Sequence, residues 1–138
     1  MEKGRIMAVD YGSKRTGLAV TDPLQIIAGG LPTILTRDFR SFMEKYLQEE
    51  NVVQIVLGQP VHMDGTPTAL WKEILNQVEW IKKKFPHIEI AFTDESFTSK
   101  DATRIMVQAQ VRKKHRKDKK NVDKVSAVLI LQNFLGHI

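Results

Sequence analysis

Two short apolar runs near the N-terminus are separated by so few residues that they can pair in only one way. Residues 6–10 and 18–21 are predicted strands, and a turn at Gly12-Ser13-Lys14 joins them. A connection this short cannot cross over to a parallel partner, so the two strands must form an antiparallel hairpin. The first strand ends on Asp10, a carboxylate beside an apolar run. Because such a group costs free energy without a partner, Asp10 is predicted to have a function at the end of the strand.

The rest of the chain alternates strands with helices. Periodicity and turn residues predict strands at 33–35, 52–57 and 88–92 and helices at 38–51, 66–85, 98–111 and 122–135, the last capped by Asn121. Three antiparallel strands followed by parallel strand–helix units give a mixed five-stranded sheet with helices on both faces, an α/β fold. No repeat or linker interrupts this order, so we expect one domain over residues 1–138.

Composition excludes several kinds of protein. The 138 residues contain no cysteine, which excludes a disulfide framework and cysteine-ligated zinc. No apolar run approaches the roughly 18 residues of a membrane span, and the first apolar run is too short for a signal peptide. We therefore expect no membrane association and a cytoplasmic location.

The net charge of +5 has a local origin. Residues 112–120 contain seven Lys or Arg and one Asp and so carry +6, whereas the rest of the chain carries −1. A run this basic repels itself into an extended loop. It is either a solvated loop or a contact for the phosphates of a polyanion. The candidate nucleic-acid contacts in it are Arg112, Lys113, Lys114, Arg116 and Lys117.

Acidic residues cluster where the predicted strands end. Asp10 closes the first strand, Asp94 and Glu95 close the last, and Asp64 follows the central one. Asp123 lies in the first turn of the predicted final helix, where the helix dipole favours a carboxylate. If the first, fourth and fifth strands are parallel, their carboxyl ends share one edge, where ligands of open α/β sheets usually bind. Each acid except Asp10 also has a plain structural explanation, as a turn or helix-start residue.

An all-oxygen cluster of this kind predicts a hard divalent cation. Carboxylates held together raise one another's pKa values unless a cation neutralises them. Oxygen ligands without His or Cys suit Mg²⁺ or Mn²⁺, and such ions held by carboxylates are the usual apparatus for phosphodiester cleavage. The carboxylates therefore indicate metal-dependent cleavage of a phosphodiester, and the basic run leaves a non-catalytic nucleic-acid-binding domain as the alternative. Sugar kinases and actin-like ATPases share an Asp-x-Gly hairpin of this general kind as a phosphate-binding loop. They need two such domains around a nucleotide cleft, whereas 138 residues supply one.

Four blocks of the sequence resemble motifs of one family. DYGSKRTGLAV at 10–20 is similar to the opening motif of the YqgF/RuvX family, and VLGQPVHMDGT at 56–66 is similar to its GxPxxxDGT loop. TDESFTS at 93–99 resembles its DERxTT block. Residues 122–132 resemble its C-terminal helix, in which an acid precedes an apolar run rich in small residues. The blocks fall in the family's order, and the chain has the family's length.

The resemblance implies a ribonuclease H-like fold and a metal-dependent endonuclease acting on structured nucleic acid, since the family is described as pre-16S ribosomal RNA nucleases and Holliday junction resolvases. The expected activity is 5′-end processing of small-subunit ribosomal RNA precursor, with Holliday junction resolution as the alternative. It implies that Asp10, Glu95 and Asp123 are the catalytic, metal-binding acids. Asp94 is a further candidate ligand, and Asp64 competes with Glu95 if the fourth strand lies beside the first. Symmetric cuts in a four-way DNA junction would need a two-fold dimer, so a homodimer is one expectation.

The resemblance also concerns the residues that contact the substrate. Lys14 and Arg15 would contact a phosphate of an rRNA precursor or of branched DNA, the alternative being ordinary solvation of a hairpin. Ser96 stands where the family has an arginine, so this chain lacks a cation that could pair with phosphate or with a neighbouring acid. Ser99 replaces the second threonine of the block and keeps its hydroxyl.

Overall fold

The computed structural model describes residues 3–59, 69–94 and 119–136 as strands, helices and short connections. In chain order these are β1 Arg5–Tyr11, β2 Arg15–Thr21, β3 Ala28–Leu35, a 3-10 turn Thr36–Asp38, α1 Phe39–Glu49, β4 Val52–Gln59, α2 Ala69–Lys84, β5 Glu89–Asp94 and α3 Lys119–Leu135. The helix predicted at 98–111 and most of the basic run lie outside the described residues. Within those residues, no helix is long and apolar enough to cross a membrane.

The five strands form one mixed sheet in the order β3-β2-β1-β4-β5. β2 pairs antiparallel with both β1 and β3, whereas β4 pairs parallel with both β1 and β5. The short turn between β1 and β2 enforces the antiparallel pair, and α2 supplies the long crossover that the parallel pair β4–β5 requires. The predicted ribonuclease H-like α/β fold, with three antiparallel strands followed by parallel units, is confirmed.

The helices cover both faces of the sheet and enclose two separate cores. Between the sheet and the pair α1 and α2 lies the larger core, which includes Met7, Val9, Leu18, Leu57, Phe39, Met43, Ile74 and Ile81. Between the sheet and α3 lies a smaller one, made of Ile6, Ala8, Ala19, Val56, Ala127, Ile130 and Leu131. Since successive side chains of a strand point to opposite faces, the odd-numbered residues of β1 face α1 and α2, and its even-numbered residues face α3.

Several element bounds differ from the prediction; β2, for example, begins at Arg15 rather than at residue 18. β3 begins at Ala28 rather than at residue 33 and includes Pro32, which an edge strand accepts because its outer side needs no ladder donor. α3 includes Lys119 and Lys120 ahead of Asn121 instead of starting after a cap at Asn121, and lysine has the higher helix propensity of the two residue types. Asp123 therefore lies in the second turn of α3, and its predicted place in the first turn was wrong. This removes the helix-start explanation for that acid.

Asp22 organises the connection between β2 and β3. Its carboxylate accepts hydrogen bonds from the backbone N–H groups of Leu24, Ile26 and Ile27, at 3.1, 2.8 and 2.7 Å. The bond from Ile27 contributes most to holding the pKa of the Asp22 carboxyl below its ordinary value, while desolvation acts in the opposite direction. The ionised form of Asp22 therefore stabilises the fold.

Replacing Asp22 with alanine is expected to lower the thermal unfolding midpoint at pH 7 and to matter less in acid. The folded pKa lies below the unfolded one, so the stabilisation is present above the unfolded pKa of about 3.9 and is lost as the pH falls through the folded value. Circular dichroism melts of wild type and Asp22→Ala between pH 7 and pH 2 would show the gap closing. Asp38→Ala is the control, because the Asp38 side chain caps no helix N–H. A gap that stays constant with pH would contradict this account.

Candidate nucleic-acid and metal site

Asp10 lies near the carboxyl end of β1, on the face of the sheet that α3 covers. Ala8 and Ile6, two and four residues earlier, pack against α3. The alternation of side chains along the strand therefore places Asp10 on that same face. Its side chain is half-buried, as expected of a carboxylate at the point where an apolar strand meets a ligand-binding edge.

Glycines stand on both sides of Asp10 in the sheet. Its partner across the antiparallel pair is Gly17. On the parallel side Val9 pairs with Leu57, and the next step of the same register places Gly58 beside Asp10. We call Asp10 with Gly17 and Gly58 the Asp10 cradle, because neither neighbour has a side chain to fill the space beside the carboxylate. A hydrated cation or a phosphate group fits next to a carboxylate only where such space exists.

Arg15 shares this face of the sheet, since it lies two residues before Gly17 in β2. Its side chain is half-buried, and its Nε is buried with no hydrogen-bond partner among the described residues. Leaving a buried donor unpaired costs roughly 1–3 kcal/mol, and more for a charged group. The Nε is thus shielded from solvent, while the Arg15 side chain as a whole is half-buried. An anion bound beside the Asp10 cradle would satisfy it.

Two hydroxyl groups on the α3 side of the sheet are also buried without partners in the described part of the chain. Thr93 Oγ1 belongs to β5, where Thr93 pairs with Gly58. Ser126 Oγ belongs to α3, where Ser126 is fully buried next to Ala127. Adjacent strands lie about 4.8 Å apart, so Thr93 is about 10 Å from Asp10 across the sheet. The unpartnered atoms are therefore found on the α3 side of the sheet rather than in the larger core.

The turn that carries Lys14 and Arg15 is closed tightly. A Cβ on Gly12 would lie 2.3 Å from the carbonyl oxygen of Arg15, closer than real Cβ atoms approach. Thr36 fastens the turn from outside: its N–H donates to the Lys14 carbonyl at 2.9 Å, and its hydroxyl donates to the Gly12 carbonyl at 2.6 Å. The hydroxyl of Thr16 lies 2.8 Å from that of Thr36 and completes the network. The two basic residues thus project from a fixed frame.

The structure places two more of the predicted acids by their backbone alone. Asp94 is the last residue of β5 and follows Phe92 by two residues, so the two positions share one face of the sheet. The centroid of the Phe92 ring lies 5.2 Å from that of Trp71 in α2. Position 94 is thus on the face opposite to Asp10. Position 123 precedes Ala127 by one turn of α3, and residues four apart share one side of a helix. Since Ala127 packs on the sheet, position 123 lies on the sheet-facing side.

The remaining predicted site residues lie outside the described part of the chain: Asp64, Glu95, Arg112, Lys113, Lys114, Arg116 and Lys117. Among the described residues no group of three metal-ligating side chains is found, because Asp10 is the only predicted ligand whose side chain they include.

The sequence did not single out Thr93 or Ser126. Counting outward from the predicted turn at residues 12–14 would pair Asp10 with Thr16, one residue short of Gly17, because the observed hairpin is centred between Ser13 and Lys14.

The chain matches a family model over nearly its whole length. That model, described as RuvX, Holliday junction resolvase, covers residues 4–137. The chain belongs to the RuvX family. The family indicated by the four sequence blocks is therefore confirmed.

Curated relatives of this RuvX chain are similar over almost their entire length. A protein of Porphyromonas gingivalis is 46% identical over 134 residues, which is 97% of each chain. One of Amoebophilus asiaticus is 45% identical over 96% of this chain and 94% of its own, and one of Christiangramia forsetii is 44% identical over 95% and 97%. All three carry the name "Putative pre-16S rRNA nuclease". Among solved structures, YeaZ from Pseudomonas aeruginosa covers 78% of this chain and 50% of its own at 10% identity, with a TM-score of 0.46, too low to support an argument.

The tight turn predicts opposite outcomes for two glycine substitutions. Gly12→Ala is expected to destabilise the fold by about 1–3 kcal/mol, because the new methyl group must displace backbone. Gly29→Ala is the matched control, since the nearest atom to its new methyl group would be 3.9 Å away, and its effect should stay within about 1 kcal/mol. Urea unfolding of both variants measures the difference. Equal effects would mean that the turn is not held as described.

Proposed function

We propose that this chain is a metal-dependent endonuclease that processes the 5′ end of small-subunit ribosomal RNA precursor. Membership of the RuvX family and the names of the relatives support nuclease activity, and with it phosphodiester hydrolysis. The structural observation that carries the proposal is the Asp10 cradle, in which a half-buried carboxylate lies between two glycines of the neighbouring strands. On the same face, the Arg15 Nε is buried with no hydrogen-bond partner among the described residues and adds a position for an anion.

The proposed cofactor is Mg²⁺ or Mn²⁺, held by Asp10, Glu95 and Asp123. The Asp10 cradle fits such a cation because the Asp10 carboxylate supplies an oxygen ligand, which hard cations prefer. The glycines on either side add no side chain that would compete with metal-bound water. When bound, the cation would supply charge stabilisation at the phosphoryl group and a water of lowered pKa. Position 123 supports its assignment by lying on the sheet-facing side of α3.

The acid that completes the site is proposed to be Glu95. Position 94 lies on the face opposite to Asp10, which argues against Asp94 as a ligand. Asp64 remains the competitor, because β4 lies between β1 and β5 and the segment after β4 therefore starts beside Asp10. The choice between Glu95 and Asp64 rests on the family motif and on the experiment below.

Arg15 is proposed to bind the phosphate group next to the cluster of acids. A nucleic-acid strand that approaches several carboxylates meets electrostatic repulsion, which a fixed guanidinium reduces. Arginine suits this place because its charge is permanent and its donors are arranged to match phosphate oxygens. The basic residues Arg112, Lys113, Lys114, Arg116 and Lys117 would extend the contact along the strand, as their charge supports.

A second candidate function is Holliday junction resolution, which the description of the family favours. The cradle would serve either substrate, because both are phosphodiesters. A resolvase would act as a homodimer, since two symmetric cuts need two sites related by a two-fold axis. The proposal for rRNA precursor is preferred on the names of the relatives, and it includes a cytoplasmic location and a single domain over residues 1–138.

Asp10→Asn is expected to abolish cleavage while leaving the fold and substrate binding in place. Loss of a metal ligand at the reacting phosphate should slow cleavage by roughly a thousandfold, equivalent to about 4 kcal/mol. The measurement is cleavage of a labelled 5′-extended small-subunit rRNA precursor and of a four-way DNA junction, each in Mg²⁺, Mn²⁺ and EDTA. Asp22→Asn, assayed well below its melting temperature, controls for loss of an acid elsewhere in the fold. Cleavage that survives in Asp10→Asn would refute the proposed site.

A second pair of variants decides which acid completes the site. Glu95→Gln should lose cleavage to the same extent as Asp10→Asn, and Asp64→Asn should retain most of it. Isothermal titration with Mn²⁺ gives a readout besides activity, because removing a ligand weakens metal binding. The reverse pattern, with Asp64→Asn inactive and Glu95→Gln active, would move the third ligand to the segment that follows β4.

A further inference from the structure

A small pocket lies beside the β1–β2 turn. It has a volume of about 360 Å³ and is lined by Ser13, Lys14, Leu35 and Arg37. We call it the Lys14 pocket. The turn follows the carboxyl end of β1, so the pocket and the Asp10 cradle lie at the same end of the sheet. None of the proposed metal-binding acids is among the residues that line the Lys14 pocket.

The walls of the Lys14 pocket are fixed by the frame around Thr36. The N–H of Thr36 holds the backbone of Lys14, and Leu35 pairs with Arg15 across β2 and β3. Arg37 follows Thr36 in the 3-10 turn. Backbone hydrogen bonds therefore set the spacing of the two cationic residues, and little ordering of the main chain is needed when a ligand binds.

The lining of the pocket combines two cationic side chains with an aliphatic one. Lys14 and Arg37 are both exposed, and within the described residues neither takes part in the ion pairs, which join Arg5 to Glu50 and Lys84 to Glu44. Leu35 is 41% exposed, and the stems of lysine and arginine add further apolar surface. Two unpaired cations beside an apolar wall suit a ligand with a negative group and a less polar body.

We propose that the Lys14 pocket binds one nucleotide of the substrate strand next to the site of cleavage. Its phosphodiester would lie between Lys14 and Arg37, and its sugar or base would lie against Leu35. A volume near the lower limit of ligand pockets, about 300 Å³, suits a single nucleotide rather than a duplex. The inference rests on the proposed nuclease function and adds Arg37 and Leu35 to the residues that contact nucleic acid.

The test measures binding in EDTA, where no cleavage occurs. Fluorescence anisotropy of a labelled 5′-extended small-subunit rRNA precursor and of a four-way DNA junction is recorded from 50 to 300 mM KCl for wild type, Arg37→Gln, Lys14→Gln and the double variant. Each single variant should reduce the slope of log affinity against log salt, and the double variant should reduce it by about 0.7–0.9, the value for the one phosphate contact that the two cations share. At about 0.1 M salt this corresponds to five- to eightfold weaker binding, since the slope acts over the tenfold interval to the 1 M reference.

Matched controls separate the pocket from general charge. Lys83→Gln removes one exposed lysine in the last turn of α2 and should leave the slope close to that of wild type. Leu35→Ser should weaken binding without changing the slope, because it removes apolar contact and no charge. Melting curves confirm that each variant is folded. If Arg37→Gln and Lys14→Gln both behave like Lys83→Gln, or if wild type binds neither probe, the proposal is overturned. An unaltered affinity in Leu35→Ser would overturn the contact with sugar or base.

The outcomes also distinguish this inference from the proposed function. Pocket-dependent slopes in a chain that cleaves neither probe in any metal would contradict the nuclease and support the pocket. Metal-dependent cleavage that Asp10→Asn abolishes, together with pocket variants that bind like wild type, would contradict the pocket and support the nuclease. The two probes further show whether the bound strand is RNA, DNA or either.

Discussion

The register between β1 and β2 is the constraint on which the rest of this structure depends. A tight turn at Gly12 sets it, and Thr36 fastens the turn through the carbonyls of Gly12 and Lys14. Because side chains alternate across a strand, a slip of one residue would move Asp10 to the face of the larger core. That face is apolar and could not hold a carboxylate. One short turn therefore decides that the acid is paired with Gly17 and lies under α3.

The two faces of the sheet differ in the size of the apolar side chains that cover them. The face toward α1 and α2 carries large apolar side chains such as Phe39 and Met43. The face toward α3 is built from smaller ones, including Ala8, Ala19 and Ala127. Small residues let a helix approach a sheet closely, which is the requirement for residues of α3 to reach the same edge as Asp10. The face with the weaker apolar core is thus the one suited to a polar site.

The sequence predicted the order of strands and helices, because hydrophobic periodicity and short connections carry that information locally. It placed Asp10 correctly at a strand end for the same reason. It misplaced the start of α3, since Asn121 is a good cap in isolation and the lysines before it continue the helix. It could not find Thr93 or Ser126, whose hydroxyl groups have no partner within residues 3–59, 69–94 and 119–136. Such a lack depends on packing between distant segments and has no signature in the residues themselves.

The two basic residues of the turn are neighbours in sequence and lie in different surroundings. Arg15 is the first residue of β2, so its side chain follows the alternation of the sheet and its Nε is buried on the α3 side. Lys14 still belongs to the turn, is exposed and lines a pocket with Arg37. Consecutive phosphates of a nucleic-acid strand also differ, since one is held where a bond is cut and the next only fixes the position of the strand. A half-buried arginine near the acids and an exposed lysine one residue away match those two tasks.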